Sequence, residues 1–294
     1  MKILLTGGSG FIGASLHDAL GAEHDIHAPG HRELDVSDST AVDALFHARR
    51  FDAVIHAAVE GGDQVVENIV RGYWNLARHS GEVERFFFFG SGAEYGKHRD
   101  LDKVREEEIG EEVPRDAYGF GKLLCNESAR RSSNIVNLRL FGVYGPRENY
   151  LFKFISNSVV KILLGLDLAV RQDADFDYLW IDDLAVVVRS LLETGCAWRD
   201  LNVTPTESIS LSRIVDVLRD VSGIDARATF ETPGMNFRYT GDNSRLREAV
   251  PDLRFTAAAE GIRRLFARYK ERAGSLDREA LVRDDYFRQC RVRA

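Results

Sequence analysis

The chain has 294 residues, of which 44% are hydrophobic, so it is long enough for one large domain or two closely packed ones. Acidic residues outnumber lysine plus arginine by 46 to 39, which argues against a nucleic-acid partner or an anionic membrane surface. The 3 scattered cysteines do not suit a disulfide framework or a zinc site, and no apolar run approaches the about 20 residues that span a membrane, so we expect a cytoplasmic protein without a metal.

Short apolar segments alternate with helical patterns through the first half of the chain. We predict strands at 2–6, near 25–28, and at 51–58, 85–90 and 134–140. We predict helices at 11–20, about 64–79 and about 116–132. Continuous apolar strands separated by helices are typical of a parallel sheet that is covered on both faces. The expected fold class is therefore α/β, a doubly wound, Rossmann-like parallel sheet with a smaller C-terminal substrate-binding part.

A charged segment, 97–116, lies between the fourth predicted strand and the helix that follows it. Long loops in compact domains are often functional, so this segment is either a solvated surface loop or a lid over a nearby site. The sequence alone leaves both alternatives open.

The second half of the chain shows shorter strands and helices, and no flexible linker separates it from the first half. The clearest helix there is 210–223, while 178–184 and 201–203 resemble returns of the chain to the first core. The predicted division is a dinucleotide-binding part at 1–146 plus about 177–203, a substrate-binding part at about 147–176 plus 204–272, and a C-terminal tail at 273–294.

The segment TGGSGFIG, residues 6–13, places four glycines between the first predicted strand and the first predicted helix. Gly7, Gly10 and Gly13 have a G-x-x-G-x-x-G spacing, close to the G-x-G-x-x-G of dinucleotide-binding proteins. Bare backbone lets a phosphate approach closely, and the helix N-terminus supplies free N–H donors and a partial positive charge. This position predicts a pyrophosphate site; a tight turn without a ligand is the alternative.

The segment YGFGK places Tyr118 and Lys122 four residues apart, on one face of a predicted helix. A tyrosine with its usual pKa of about 10 is a poor acid or base at neutral pH, and a nearby ammonium together with a nicotinamide cation would lower that pKa. Ser91 follows the fourth strand at its C-terminal end, where ligands bind in open parallel sheets. Its hydroxyl would hydrogen-bond a carbonyl oxygen opposite the tyrosine. Each residue alone could be structural, but together they predict a catalytic set.

These segments, with several others, resemble the extended short-chain dehydrogenase/reductase superfamily, in its branch of NAD(P)-dependent nucleotide-sugar epimerases, dehydratases and reductases. The resemblance covers roughly residues 1–270, and residues 31–62 are especially similar to the GDP-fucose synthase group. The motifs that carry it are TGGSGFIG, LDVSD (34–38), VIHAA (54–58), FFFFGSGAEYG, YGFGK, LRLFGVYGP (138–146), YLWIDDL (178–184) and YTGDNSRL (239–246).

The resemblance implies roles for individual residues. It implies that Ser91, Tyr118 and Lys122 are catalytic, that Asp35 and Val36 flank the adenine, and that Ala57 and Ala58 line the cofactor channel. The full set of expected cofactor contacts is Gly7, Ser9, Gly10, Phe11, Ile12, Gly13, His31, Arg32, Asp35, Val36, Ala57, Ala58, Tyr118, Lys122 and Leu140. The expected substrate contacts are Gly92, Ala93, Gly142 and Arg147.

Departures from the motifs of this superfamily narrow the expected chemistry. Its dehydratases carry an Asp-Glu pair directly after the catalytic hydroxyl, where this chain has Gly92 and Ala93. The cysteine and histidine with which GDP-fucose synthase epimerises its substrate correspond to Ala93 and Trp180, which cannot shuttle a proton. Hydride transfer alone remains, as in a 4-keto reductase (or the reverse dehydrogenase) or a 4-epimerase with a retained nicotinamide. Glu94 is either an extra acid or a polar residue of a tight turn.

Two further departures concern the substrate. The superfamily usually holds the nucleotide diphosphate with an asparagine and an arginine, at positions where this chain has Gly142 and Phe176. Arg147, Arg238 or Arg245 would have to replace them. A nucleotide sugar is the leading expected substrate, and another sugar-like carbonyl compound is the alternative.

The end of the second strand bears on the choice of cofactor. An acid there would bind a ribose 2′-hydroxyl and select NAD, whereas this chain has His31 and Arg32, which favour the 2′-phosphate of NADP(H) over NAD(H). A non-catalytic, NAD(P)-sensing binding protein is the remaining alternative. Such relatives tend to lose the tyrosine or the lysine, and this chain keeps both.

Relatives in this superfamily commonly form homodimers through the two helices predicted at 64–79 and 116–132. In the first helix, Ile69, Tyr73 and Leu76 share one face, and Val65 with Tyr73 suggests a second apolar strip. A helix that needs two apolar faces is either wholly buried in the monomer or covered by a partner. A homodimer is therefore expected, with the wholly buried helix as the alternative.

Overall fold

The computed structural model of the chain describes residues 1–59, 61–290 and 292. Within them the strands are, in chain order, β1 Lys2–Thr6, β2 Asp25–His27, β3 Ala53–His56, β4 Arg85–Ser91, β5 Leu101–Val104, β6 Ile135–Leu140, β7 Gly142–Tyr144, β8 Leu168–Asp173, β9 Asp175–Phe176, β10 Tyr178–Trp180, β11 Asp200–Val203, β12 Ile209–Ser210, β13 Ala228–Met235 and β14 Tyr239–Gly241. The α-helices are α1 Phe11–Leu20, α2 Ser39–Ala48, α3 Val65–Ala77, α4 Ala117–Ala129, α5 Phe154–Leu163, α6 Ile181–Thr194, α7 Leu211–Ser222, α8 Ser244–Ala249, α9 Ala258–Glu271, α10 Arg278–Arg283 and α11 Asp285–Gln289.

The described part of the chain contains a six-stranded sheet in the order β11-β6-β4-β3-β1-β2, with every neighbouring pair parallel. Successive side chains of a strand point to opposite faces, and both faces are buried here. In β4, Phe87 and Phe89 join one core while Phe86 and Phe88 join the other. Helices α1 and α6 cover the first face, and α2, α3 and α4 cover the second. The predicted doubly wound α/β fold is confirmed.

Two local features differ from the expectation. Helix α2, which the apolar pattern did not reveal, begins after Asp38, whose carboxylate accepts hydrogen bonds from the N–H groups of Thr40 and Ala41. The charged segment at 97–116 is not a solvated loop throughout. Its strand β5 pairs with β14, and Leu101 and Val104 are fully buried at the pairing.

The second half of the chain packs directly against the first. Strand β11 joins the large sheet beside β6, β10 pairs with β7, and β12, β9, β14 and β5 form a smaller sheet in that order. The segment expected to be a tail also packs on the core, since Leu281 is buried and Lys161 pairs with Asp284 at 2.6 Å. Across the described residues, no helix has both the length and the apolar content needed to cross a bilayer.

Candidate active site

The glycine-rich turn after β1 adopts a conformation that requires glycine. Gly7 has φ of +72°, and a β-carbon there would lie 2.6 Å from the Ala58 nitrogen. A β-carbon on Gly13 would lie 2.1 Å from the Gly7 carbonyl oxygen. Helix α1 therefore begins close against β1 and β3. Gly10 is its N-cap, and no side chain caps the first turn, so backbone N–H groups there are available to a phosphate.

A cleft of about 270 Å³ opens above this turn. It runs from the glycine turn past the ends of β2 and β3 to α3. The residues that line it are Thr6, Gly7, Ser9, Gly10, Pro29, His31, Leu34, Val36, Ser37, His56, Ala57, Ala58, Val59, Asn68, Ile69 and Gly72. The sequence did not reveal that α3 lines this cleft, which it does through Asn68, Ile69 and Gly72. The spacing of residues within one helix does not show which edge of the sheet that helix borders.

The expected cofactor contacts fall into two groups. Those lining the cleft are Gly7, Ser9, Gly10, His31, Val36, Ala57 and Ala58. The expected contacts Gly13, Arg32, Tyr118 and Lys122 do not line it, and the Asp35 carboxylate accepts the Ser37 N–H at 2.8 Å, which shapes the turn. Phe11 and Ile12 pack partly buried against the core at the start of α1, and Leu140 is buried at the end of β6. These three residues support the cleft from the core side.

Ser91, Tyr118 and Lys122 come together at the C-terminal end of β4, although none of them lines this cleft. Asp116 caps α4 by accepting the Gly119 N–H at 2.9 Å. A β-carbon on Gly119 would lie 2.5 Å from the Ala93 carbonyl oxygen, so glycine lets α4 approach the short 3₁₀ helix that follows β4. This close approach brings Tyr118 within hydrogen-bonding reach of the Ser91 hydroxyl.

The electrostatics at Tyr118 differ from the expectation. Burial raises its pKa to about 12, although the hydrogen bond with Ser91 opposes the shift. Lys122 lies with its Nζ 5.8 Å from the centre of the Tyr118 ring and donates to the Phe89 carbonyl oxygen at 2.7 Å. Burial lowers the pKa of Lys122 to about 8. The tyrosine therefore holds its proton at neutral pH, which is the state that a proton donor needs.

A second cavity, of about 710 Å³, opens on the other side of Ser91 and Tyr118. Its walls are predominantly aromatic, with cationic side chains among them. The residues that line it are Ser91, Lys97, His98, Tyr118, Phe141, Gly142, Val143, Glu148, Phe152, Lys153, Phe154, Phe176, Tyr178, Asn236, Phe237, Arg238, Tyr239, Tyr286 and Val292. Tyr239, Glu148 and Tyr286 were missed by the sequence analysis, although Tyr239 begins the motif YTGDNSRL.

Among the expected substrate contacts, only Gly142 lines this cavity. Gly92 and Ala93 lie buried behind Ser91, and Arg147 pairs with Asp18 at the surface. Gly92, Ala93 and Arg147 do not line this cavity, so their contact with a substrate stays a prediction. The Arg147 guanidinium lies 2.5 Å from the Asp18 carboxylate, and both side chains are largely exposed.

The arginines that could replace the diphosphate-binding residues lie in different surroundings. Arg245 is mostly buried against Asp200, at 2.7 Å, so it does not face the cavity. Arg238 does line the cavity, where Asp100 holds its guanidinium at 2.5 Å. A β-carbon on Gly142 would lie 2.8 Å from the Tyr178 ring, so an aromatic ring occupies the space of a larger side chain. Phe176 lines the same wall, with its ring centre 5.6 Å from that of Tyr178.

The structure excludes a proton-transfer role for two other side chains. Glu94 is fully buried, accepts the Ser91 N–H at 2.8 Å and pairs with Arg139 at 2.8 Å, so it is a structural ion pair and not an extra acid. The Trp180 indole donates to the Asp182 carboxylate at 2.8 Å. No acid or base stands at the positions where related dehydratases and epimerases would need one.

A parallel sheet with a glycine turn, and with serine, tyrosine and lysine gathered at its C-terminal edge, defines a dinucleotide-binding protein of the short-chain dehydrogenase/reductase type. The model of the NAD-dependent epimerase/dehydratase family matches residues 3–203. The chain belongs to that family, which confirms the resemblance drawn from its motifs.

Individual relatives match at lower identity. ADP-L-glycero-D-manno-heptose-6-epimerase from Pseudomonas aeruginosa is 30% identical over an alignment of 183 residues, and the match covers 51% of this chain and 53% of that protein. The matched region thus spans about half the length of such curated relatives. UDP-glucose 4-epimerase from Thermotoga maritima, solved with UDP-glucose, has a TM-score of 0.80 at 20% identity, covering 92% of this chain and 99% of that chain.

Two further solved structures share the fold. GDP-mannoheptose C4 reductase from Campylobacter jejuni, with NADP bound, has a TM-score of 0.79 at 17% identity, covering 92% of this chain and 98% of that chain. The Bordetella bronchiseptica enzyme WbmG, in complex with NAD, has a TM-score of 0.81 at 22% identity, covering 93% and 95%. The shared fold extends over nearly the whole chain, beyond the region that the family model matches.

Proposed function

We propose that the protein is an NADP(H)-dependent reductase of the 4-keto group of a nucleotide-activated sugar. The observation that carries the proposal is the grouping of Ser91, Tyr118 and Lys122, in which Ser91 and Tyr118 line the aromatic cavity and the Lys122 Nζ lies 5.8 Å from the centre of the Tyr118 ring. The bound dinucleotide would supply a hydride to the carbonyl carbon. The glycine turn fits its pyrophosphate, because no side chain caps the first turn of α1 and its backbone N–H groups are available to a phosphate.

The chain's own residues would complete the reduction by moving one proton. As the carbonyl carbon gains the hydride, its oxygen takes the proton from Tyr118, and a hydroxyl group forms. Ser91 would donate a hydrogen bond to that oxygen, and Lys122 would hold the cofactor ribose. The absence of a proton shuttle at Gly92, Ala93 and Trp180 favours hydride transfer without dehydration or epimerisation at a neighbouring carbon.

A nucleotide sugar suits the substrate cavity by charge and shape. Aromatic walls would pack against a nucleoside base, and the lysine and arginine side chains along the cavity are those of Lys97, Lys153 and Arg238, the last of which is paired with Asp100 and Asp102. These would take over the diphosphate contact that Gly142 and Phe176 cannot make. Names of structural neighbours support this substrate class, since they include a GDP-mannoheptose C4 reductase and a GDP-L-fucose synthetase. Another sugar-like carbonyl compound remains the alternative.

The cleft favours NADP(H) over NAD(H). Of the described residues that line it, none is an aspartate or glutamate that would select a free ribose 2′-hydroxyl. His31 instead faces the cleft after β2. NAD(P) binding as such accords with neighbours that were solved with either cofactor.

A 4-epimerase that retains its nicotinamide would use the same three side chains, and the UDP-glucose 4-epimerase likeness favours this second candidate. The deciding experiment combines two measurements. Mass spectrometry of the ligands released from purified protein distinguishes NADP from a retained NAD. An assay of NADPH oxidation with a 4-keto nucleotide sugar then tests turnover. Consumption of NADPH supports the reductase, whereas interconversion of two 4-hydroxy nucleotide sugars without net consumption of cofactor supports the epimerase.

The matched variant for this assay is Tyr118→Phe, which removes only the proton-donating hydroxyl. We expect turnover to fall by at least about 100-fold while NADPH binding, followed by fluorescence, stays near normal. Turnover at the wild-type rate would refute the role of Tyr118. A wild-type protein that binds NAD(P) but acts on no keto sugar would favour the non-catalytic sensor.

We also propose a homodimer formed through α3 and α4. Ile69, Tyr73 and Leu76 are buried within the monomer, so they are not the contact. The same two helices expose Trp74, Phe120 and Leu124. Large exposed apolar side chains on adjacent helices are typical of a covered surface.

The remaining proposals concern location and domain division. A cytoplasmic location is supported by the 3 cysteines, all of which are free. The dinucleotide would bind to 1–146 with about 177–203, and 147–176 with 204–272 would enclose the substrate. The segment 273–294 would contribute too, because Tyr286 lines the substrate cavity.

A further inference from the structure

A third hydroxyl group, that of Tyr239, lies in the active site. Tyr239 is 148 residues away from Ser91 in the chain, yet its hydroxyl oxygen is 3.4 Å from the Ser91 Oγ. It lines the same cavity as Ser91 and Tyr118. Its ring is held between Phe141 and Phe176, with centres 5.1 and 6.0 Å away. The position of this hydroxyl is therefore fixed by packing and not by a flexible loop.

Gly92 makes room for this approach. A β-carbon at position 92 would lie 2.8 Å from the Tyr239 hydroxyl oxygen and 2.7 Å from the Phe141 ring. Contacts under 3.0 Å are essentially forbidden to a β-carbon, so any other residue would push Tyr239 or Phe141 aside. Gly92, which stands where a dehydratase has an acid, thus leaves room for the Tyr239 hydroxyl beside it.

The hydrogen-bonding capacity of Ser91 decides what this contact does. A serine hydroxyl has one proton to donate and two acceptor positions. The Ala93 N–H donates to the Ser91 Oγ at 3.2 Å and occupies one acceptor position. Burial raises the pKa of Tyr239 above its usual value, so its hydroxyl keeps its proton and can donate to the second position. When Tyr239 donates, the Ser91 proton is left to point toward Tyr118 and the reacting oxygen.

We propose that Tyr239 is a positioning residue that donates a hydrogen bond to Ser91 and thereby directs the Ser91 proton toward the substrate carbonyl oxygen. The inference rests on the proposed carbonyl reduction. A distance of 3.4 Å is long for a bond between hydroxyl groups, and such contacts commonly tighten when substrate binds.

The kinetic test is a double-mutant cycle of Tyr239→Phe and Ser91→Ala. Phenylalanine keeps the ring packing and removes only the hydroxyl. We expect Tyr239→Phe to lower kcat about 10-fold with KM changed less than about 2-fold, and to cause no further loss in the Ser91→Ala background. An equal loss in both backgrounds would mean that Tyr239 acts without Ser91, and an unchanged kcat would mean that it is only structural. Either result overturns the proposal.

The control variant is Tyr144→Phe, because the Tyr144 hydroxyl is buried outside both cavities and makes no hydrogen bond with any described residue. It should leave kcat unchanged. Thermal unfolding of each variant shows whether the fold is retained.

A second measurement needs no substrate and so separates this inference from the proposed function. In protein labelled with ¹³C at the tyrosine ζ-carbon, the Tyr118 signal is assigned by its loss in Tyr118→Phe. Its chemical shift reports hydrogen bonding at the Tyr118 oxygen. We expect Tyr239→Phe to move this signal in the wild-type background and to leave it in place when Ser91 is alanine. A signal that stays fixed in both, or moves equally in both, contradicts the proposal even if the chain reduces no keto sugar.

Discussion

At the scale of single residues, Lys122 combines a functional position with a cost in stability. Its ammonium is almost fully buried, and burial lowers its pKa from 10.5 to about 8. Between about pH 8 and 10.5 the unfolded chain therefore holds a proton here that the folded chain has lost, so this group makes the fold more stable as pH rises through that range. Below about pH 8 the buried Lys122 ammonium destabilises the fold by its full amount.

We therefore expect Lys122→Met to raise the free energy of unfolding at pH 7 by about 2 kcal/mol, after allowing for the lost hydrogen bond to Phe89. The same substitution should abolish turnover, as in other trade-offs between stability and activity. Urea unfolding at pH 7 and at pH 10 is the measurement, with the exposed Lys270→Met as control. The advantage of Lys122→Met should shrink at pH 10. An advantage that is independent of pH would show that the ammonium is not the cause.

Site residues could be predicted from the sequence where they belong to local motifs, but not where they depend on contacts between residues far apart in the chain. Ser91, Tyr118 and Lys122 were predictable because their spacing and their places after β4 and in α4 are local features. Tyr239 begins strand β14, which reaches the site only through its pairing with β5 and β9. The position of the Arg147 side chain depends on its pairing with Asp18, which lies 129 positions away in the chain. No local pattern reports either fact.

At the scale of elements, a buried ion pair network joins the strands that carry the site. Arg139 on β6 donates to Glu94 after β4 at 2.8 Å and to Asp200 on β11 at 3.3 Å. Glu94 in turn accepts the Ser91 N–H. Removing one partner of a buried ion pair leaves the remaining charge buried without a counter-charge. This lowers stability more than replacing the whole pair by apolar side chains would.

We expect Arg139→Met to lower the free energy of unfolding by about 3–5 kcal/mol. The matched control is Arg147→Met, since its pair with Asp18 is solvent-exposed and such pairs contribute about 0–1 kcal/mol. Urea denaturation of both variants provides the comparison. Equal losses in the two variants would show that the buried network does not hold the three strands together.

The elements themselves were predictable to different degrees. Strands buried on both faces leave continuous apolar runs, so β1, β3, β4 and β6 could be located from the sequence. Helix α2 was missed, although its cap, Asp38, is a local signal. Strand β5 lies in a run of charges, and only its pairing with β14 buries Leu101 and Val104. Strand β5 forms because of its pairing with β14, a tertiary contact that cannot be seen in the sequence.

At the scale of the whole molecule, the exposed apolar surface on α3 and α4 predicts how two chains would meet. Trp74 is 53% exposed and Leu124 is 41% exposed, far more than side chains of this size in the core. Phe120 lies one turn before Leu124, on the same face of α4. Two such surfaces facing each other across a twofold axis would form a bundle of four helices.

We expect wild-type protein at micromolar concentration to have about twice the mass of one chain by light scattering. Trp74→Glu combined with Leu124→Glu should yield the single-chain mass, because a dimer would have to bury charges without partners. Val282→Glu is the control, since Val282 is 59% exposed on α10, away from this surface. Because all three substitutions are at exposed positions, the melting temperature of the monomeric unit should change little. A wild-type protein with the mass of one chain would overturn the dimer, and a control that dissociates as readily as the double variant would place the contact elsewhere.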